Sequence, residues 1–203
     1  MEVTSYENRE DWLAGRRGKI TGSRLKDIVV KRGTGKKIGF YELIAERLGI
    51  PADGENAMDR GTRLEAEAME TFEKETGKKL DTSLVIWSRE DNKNIAISPD
   101  AVVEGSKNTE AVEAKCLSSA RHIEALLTQK IPDEYEFQKL QYFIVNEELE
   151  TLYFAFYDPR LLAKPFFTIE VSREEVQKEV DEYLEYEKNV LEEVKEIVSQ
   201  LTF

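Results

Sequence analysis

The sequence predicts an α/β fold, a central mixed β-sheet flanked by helices, and three observations carry that reading. Apolar residues recur at helical spacing in the first third of the chain and again in the last 30 residues or so. Between them, from about residue 84 to 116 and from 151 to 171, the period changes to two. The chain has 203 residues of which 40% are hydrophobic, enough for one domain with a real core and short for two.

The elements follow in order. Residues about 8–17 form a short helix carrying Trp12 and Leu13, and Thr21-Gly22-Ser23 offers an N-cap to a second helix ending near Val30. Lys31 to Lys37 is a flexible basic loop. Phe40, Leu43, Ile44 and Leu48 share a helical face, stopped by Gly49 and Pro51, and a long helix runs from about Ala57 to Thr76 with Gly77 as its stop. Leu84 to Trp87, Ile95 to Ser98, Asp100 to Val103 and Ala111 to Cys116 read as strands. Helices are expected over 118–128 and 133–147, and strands at Thr151 to Tyr157 and Phe166 to Val171. Ser172-Arg173-Glu174-Glu175 is a capping box opening a last helix, with Val176, Val180, Leu184, Leu191, Val194 and Val198 on one face.

Composition narrows the chemistry. One cysteine, Cys116, excludes an intramolecular disulfide framework or a cysteine-held iron–sulfur cluster. One histidine, His122, cannot build a histidine-based zinc site within one chain, and Cys116 with His122 is the one nominal pair for nucleophilic chemistry. No membrane span or secretory signal is read, so a cytoplasmic, reducing location is expected. Net charge is −12, but the charge is uneven. Nine basic residues lie between Arg16 and Lys37 against Asp27 alone, a local +8, whereas Glu170 to Phe203 holds eleven acids and four bases, a local −7. A basic N-terminal face with an acidic C-terminal one suits one-sided contact with a polyanion; the bland alternative is a solvated surface.

One constellation carries chemistry. Asp100 follows Ser98-Pro99, and thirteen residues later Glu113-Ala114-Lys115 ends an extended run. Side chains two apart in a strand share a face, so Glu113 and Lys115 emerge together. Pairing through a turn around Gly105–Asn108 would bring Asp100 beside Glu113. Two carboxylates are hard ligands for Mg²⁺ or Mn²⁺, and a nearby lysine can orient the attacking water or accept its proton. The competing reading is an exposed turn carboxylate with a surface ion pair. Charges set inside Ala101-Val102-Val103 and Ala111-Val112 weigh against it, because burying them is costly unless they are paired or bind metal.

Four segments in order resemble one family. They are Trp12 with Arg16-Arg17-Gly18-Lys19-Ile20-Thr21-Gly22-Ser23; Gly61-Thr62-Arg63-Leu64-Glu65; Ser98-Pro99-Asp100 with Glu113-Ala114-Lys115; and Tyr135-Glu136-Phe137-Gln138 followed by Gln141-Tyr142. Together they resemble the lambda-type phage exonucleases, the YqaJ-like viral recombinase or alkaline exonuclease domains of the PD-(D/E)xK superfamily. The resemblance implies a restriction-endonuclease-like core and a metal-dependent exodeoxyribonuclease. It implies Asp100, Glu113 and the Ala114 backbone carbonyl as metal ligands and Glu65 as a ligand through water, with two Mg²⁺ (or Mn²⁺) ions. Lys115 would orient or activate the water, and Gln138 would contact metal-bound water or the scissile phosphate. Arg16 and Ser23, with Arg17 a competitor, would bind the terminal 5′-phosphate; an arginine fork beside a serine at a helix start suits that ligand. Family likeness also implies 5′-to-3′ degradation of one strand of duplex DNA, release of mononucleotides, a homotrimeric ring, a single-strand annealing partner and a phage or prophage origin.

The chain is expected to be one exonuclease domain, 1–203, with a basic DNA-end-binding part at 1–50, a catalytic core at 57–157 and an acidic helix at 172–199. Alternatives left open are another PD-(D/E)xK nuclease, RecB- or Cas4-like or a restriction endonuclease, and a non-catalytic DNA-end-binding module. Cas4-like members carry a cysteine cluster, which one cysteine does not supply. Elsewhere, Trp12 and Phe40 read as packing residues, Tyr41 as open, His122 as a surface or helix-packing residue and Cys116 as a small buried strand residue.

Overall fold

The structure, a computed structural model, describes residues 35–50 and 57–201 together with Asp11 and Ala14. The expected helices before residue 31, Trp12 and most of the basic stretch lie outside the described residues.

Five strands form the main sheet, in the order β1 (Leu80–Asp81), β4 (Ala101–Val103), β5 (Glu110–Lys115), β6 (Thr151–Tyr157) and β7 (Phe166–Ser172). Strand β5 runs parallel to β6, and the other pairs are antiparallel. A small separate ladder joins β2 (Trp87–Ser88) to β3 (Ala96–Ile97). The sequence of β6, Thr-Leu-Tyr-Phe-Ala-Phe-Tyr, is apolar nearly throughout because both of its faces are covered. Leu152, Phe154 and Phe156 point into one core cluster, and Tyr153 and Ala155 into another. Burying Leu152, Phe154 and Phe156 contributes about 1.5–3 kcal/mol each.

Helices fill the two faces. The long helix α2 (Ala57–Thr76) places Met69 and Phe72 against Val112, Tyr153 and Ala155. It ends at Gly77, whose φ of 73° and N–H bond to the Glu73 carbonyl (2.9 Å) make the left-handed cap that glycine favours. On the opposite face, α4 (Glu136–Val145) packs Leu140, Tyr142, Phe143 and Ile144 onto Ala111, Leu152 and Phe154. The last helix, α5 (Arg173–Leu201), adds Val176 and Val180 to that layer. Its capping box forms as read: the Ser172 N–H donates to Glu175 Oε2 at 2.7 Å, and the Glu175 N–H to Ser172 Oγ at 3.4 Å. Helix α1 (Ile38–Arg47) packs Tyr41 and Ala45 on Ala120 and Ile123 of α3 (Ser119–Thr128). Tyr41, left open by sequence, is buried, and Phe40 is only half-buried beside it. No helix among the described residues is long and apolar enough to cross a membrane.

Three elements differ from the periodicity. Leu84, Val85 and Ile86 are exposed and unladdered, and only Trp87–Ser88 pairs, because β3 offers two residues to pair with. The two-residue edge strand β1 was too short to register as a period. The segment after Pro132 starts as a 3₁₀ turn (Asp133–Tyr135) before α4, the tightened first turn common at helix N-termini.

Candidate active site

The hairpin β4–β5 sets the site. Ala101 pairs with Val112, and Val102 with Ala111, across a turn in which Gly105, Lys107 and Asn108 all have positive φ. Alternation along β5 sends Val112 towards α2 and Ala111 towards α4. Glu113 and Lys115 share Ala111's side, under α4. Asp100 stands at the start of β4, and its Oδ2 accepts the Ala114 N–H at 2.8 Å.

Glu113 is 3% exposed, an unusual position for a carboxylate, and its oxygens are met by donors from two elements. Lys115 Nζ lies 2.6 Å from Oε1, so the two side chains meet on one face as the Glu-x-Lys spacing requires. Gln138 Nε2, from α4, donates to the same Oε1 at 2.6 Å. Tyr142, one helical turn further on, donates its hydroxyl to Oε2. Lys115 Nζ also sits 4.4 Å from the centroid of the Tyr135 ring.

The electrostatics are those of two carboxyls crowded out of water. Burial, and next the Glu113 charge, push the Asp100 carboxyl up to about 7; the Ala114 N–H, on the other side of the balance, favours its charged form. Glu65 adds to the upward push, so it stands within electrostatic reach although its side chain is exposed on α2. Burial and then the Glu113 charge also raise the Tyr142 phenol, which stays a donor.

Asp100, Glu113, Lys115 and Gln138 are thus brought together, with Glu65 at the margin. Arg16, Arg17 and Ser23 lie outside the described residues. Among the described residues, no three acidic, histidine or cysteine side chains are gathered closely enough to hold a metal by themselves. The donor chemistry nevertheless fits a hard divalent cation: the buried Glu113 and half-buried Asp100 carboxylates repel, and a cation between them would offset the Glu113 part of the Asp100 shift.

Sequence reasoning gave Tyr142 and Tyr135 no role. The signal for Tyr142 was present, because Gln138 and Tyr142 are four apart on a helix and therefore share a face. Two other singled-out residues are structural. His122 is fully buried, edge-on to Phe167 at 5.0 Å. Cys116 is buried against Leu64 and Ala68. Asp158, 0% exposed, anchors the start of α3 by accepting from Ser119 Oγ at 2.5 Å and Arg160 Nε at 2.7 Å.

The model of the YqaJ-like viral recombinase domain matches residues 11–148, more than half of the chain and the whole of the hairpin, Gln138 and Tyr142. The chain belongs to the YqaJ-like viral recombinase family. Solved structures agree with this membership. The alkaline exonuclease LHK-Exo from Laribacter hongkongensis is 28% identical, with a TM-score of 0.56 over 95% of this chain and 100% of that one. LHK-Exo in complex with dAMP is 29% identical, with a TM-score of 0.55 over the same shares. A phage-related exonuclease from Haemophilus somnus 129PT, 14% identical with a TM-score of 0.50 over 98% and 92%, shares the fold. Among curated proteins none matches. The YqaJ-like core here is the PD-(D/E)xK fold, and the family and its neighbours place the chain among nuclease enzymes.

Proposed function

We propose that this YqaJ-like protein is a divalent-metal-dependent exonuclease that degrades one strand of duplex DNA from its 5′ end, releasing mononucleotides and leaving a 3′ single-stranded tail for strand annealing. The observation that carries the proposal is the meeting of Asp100, Glu113 and Lys115 at one end of the β4–β5 hairpin, beneath Gln138. LHK-Exo's complex with dAMP, a mononucleotide, accords with the expected class of product.

Asp100 and Glu113 would hold Mg²⁺ or Mn²⁺, with the Ala114 carbonyl and, through water, Glu65 completing a site for two ions. Such ions supply a lowered pKa for water and charge stabilisation at the phosphate. Glu113 is held in place by its donors, so it presents a fixed oxygen rather than a swinging one. Lys115 donates toward the incoming water and the phosphate oxygens. Gln138 adds a neutral donor that orients water or phosphate without altering the charge. Hydrolysis forms a bond between the water oxygen and phosphorus and breaks the bond from phosphorus to O3′. The released nucleotide leaves with a 3′-hydroxyl, and the shortened strand keeps a new 5′-phosphate. Arg16 and Ser23, with Arg17 as competitor, would hold that terminal phosphate.

The whole chain is read as a single exonuclease domain, its basic 1–50 part meeting the DNA end, its 57–157 core cutting and its 172–199 helix acidic. A homotrimeric ring would let an acidic protein enclose DNA with a basic lumen, and a single-strand annealing protein would take the product. A cytoplasmic setting in a phage-infected or lysogenic bacterium accords with these roles.

The test is digestion of linear duplexes labelled at the 5′ or the 3′ end, with Mg²⁺ or EDTA, beside a circular control. Release of the 5′ label first, as mononucleotide, only with metal and only from linear DNA, is expected. Cleavage of the circle, or earlier release of the 3′ label, would overturn the reading.

A further inference from the structure

The Lys115 ammonium is held from two sides. On one side stands Glu113 Oε1 at 2.6 Å, and on the other the face of the Tyr135 ring, 4.4 Å from Nζ to centroid. That distance is well inside the roughly 6 Å over which a cation is attracted to a ring face, and the attraction grows as water is removed. Water is largely removed here, since the Lys115 side chain is 13% exposed. Tyr135 is itself fastened: it ends the 3₁₀ turn after Pro132, its N–H bonds the Pro132 carbonyl at 2.9 Å, and it caps α4, the helix that delivers Gln138. Its hydroxyl stays protonated, raised to about 12 by burial and then by Glu134, to which it hydrogen-bonds. The ring therefore meets the lysine as a neutral π face and not as a phenolate.

We propose that Tyr135 is the positioning residue of Lys115, its ring face holding the ammonium aimed beside Glu113 while the phosphodiester is cleaved. This rests on the nuclease reading above and refines it, naming what holds Lys115 in place. A carboxylate on one side and a ring face on the other leave the side chain few directions in which to point, and so fix Nζ beside the reacting water and phosphate. A free lysine on its four-carbon stem would lose considerable rotamer freedom to reach one position, and the ring removes alternatives in advance.

The experiment places phenylalanine and then mono-, di- and trifluorophenylalanine at residue 135 of the full chain. Fluorine draws electrons off the ring face and leaves its shape almost unchanged. Stepwise loss of kcat on a 5′-phosphorylated linear duplex is expected, reaching about tenfold at trifluorophenylalanine, with KM within about twofold and Tyr135→Leu at or below the trifluoro value. Phenylalanine, which keeps the ring, should restore most of the loss seen in Tyr135→Leu. A kcat flat across the series, or a loss carried by KM, overturns the proposal. In parallel, the Lys115 ε-methylene resonance in selectively labelled protein is expected upfield of the position of lysines with no ring contact and to move to that position in Tyr135→Leu. An inactive wild-type chain would sink the nuclease reading; the resonance then decides the contact alone, and an unshifted Lys115 sinks it too.

Discussion

Tyr142 and Glu113, twenty-nine residues apart, meet in the buried interior, the phenol donating to Oε2 of the carboxylate. Tyr142 is 0% exposed, and its ring stands edge-on to Trp87 at 6.3 Å. Tyr142→Phe keeps that packing and removes one donor from a buried anion. It should cost about 1–3 kcal/mol, read as a lower urea midpoint at unchanged slope. A midpoint equal to wild type would mean that the hydroxyl contributes nothing to holding Glu113.

Lys115→Ala should reduce cleavage of linear duplex by at least about a hundredfold, with the dissociation constant for the same DNA in EDTA nearly unchanged. The largely buried lysine would meet a single phosphate, the one being cleaved, so it carries little of the affinity for the duplex. Turnover like wild type would count against the whole constellation.

Mg²⁺ should stabilise the folded chain apart from any catalysis. A ligand at about a hundred times its Kd adds about 2.7 kcal/mol of stability, visible as a rise in Tm that EDTA reverses. Asp100→Asn should abolish most of that rise, since an amide no longer offers an anionic oxygen to the cation. Equal Tm rises in both proteins would place the metal elsewhere.

His122 predicts a pH dependence of stability. Burial lowers its pKa below the ordinary value, while the Lys164 carbonyl at 3.1 Å from Nε2 and the Asp158 charge oppose that shift. The unfolded chain, at about 6.5, therefore takes up the proton first as pH falls. Stability from the neutral ring is complete above about 6.5 and drains away below it, towards the depressed folded value. Unfolding free energy between pH 7.5 and 5 should fall more steeply for wild type than for His122→Leu. Parallel curves would exclude His122 as the source.

What the sequence made legible tracks the kind of force involved. Strand β6 was readable because burial on both faces leaves a nearly unbroken apolar run, and the Gly77 stop and the Ser172–Glu175 box because caps are local chemistry. The approach of Asp100 to the Glu-x-Lys segment was readable because a short hairpin with positive-φ residues at its turn relates them. Glu113's burial and its bonds to Gln138 and Tyr142 were not, because they depend on which helix crosses the sheet there. Leu84 to Ile86 misled for the converse reason: an apolar run signals a strand only where a partner strand exists to receive it.

The sequence separation of the contacts around Glu113 also favours an order of assembly. Joining Asp100 to the Ala114 N–H closes a loop of fourteen residues, whereas the Gln138 and Tyr142 bonds to Glu113 span twenty-five and twenty-nine and await the docking of α4. Closing the longer loops costs more chain entropy before any contact repays it. The hairpin half is therefore expected to form early in folding, with the tyrosine and glutamine arriving as the helical layer closes over it. Substitutions at Tyr142 should accordingly speed unfolding far more than they slow refolding.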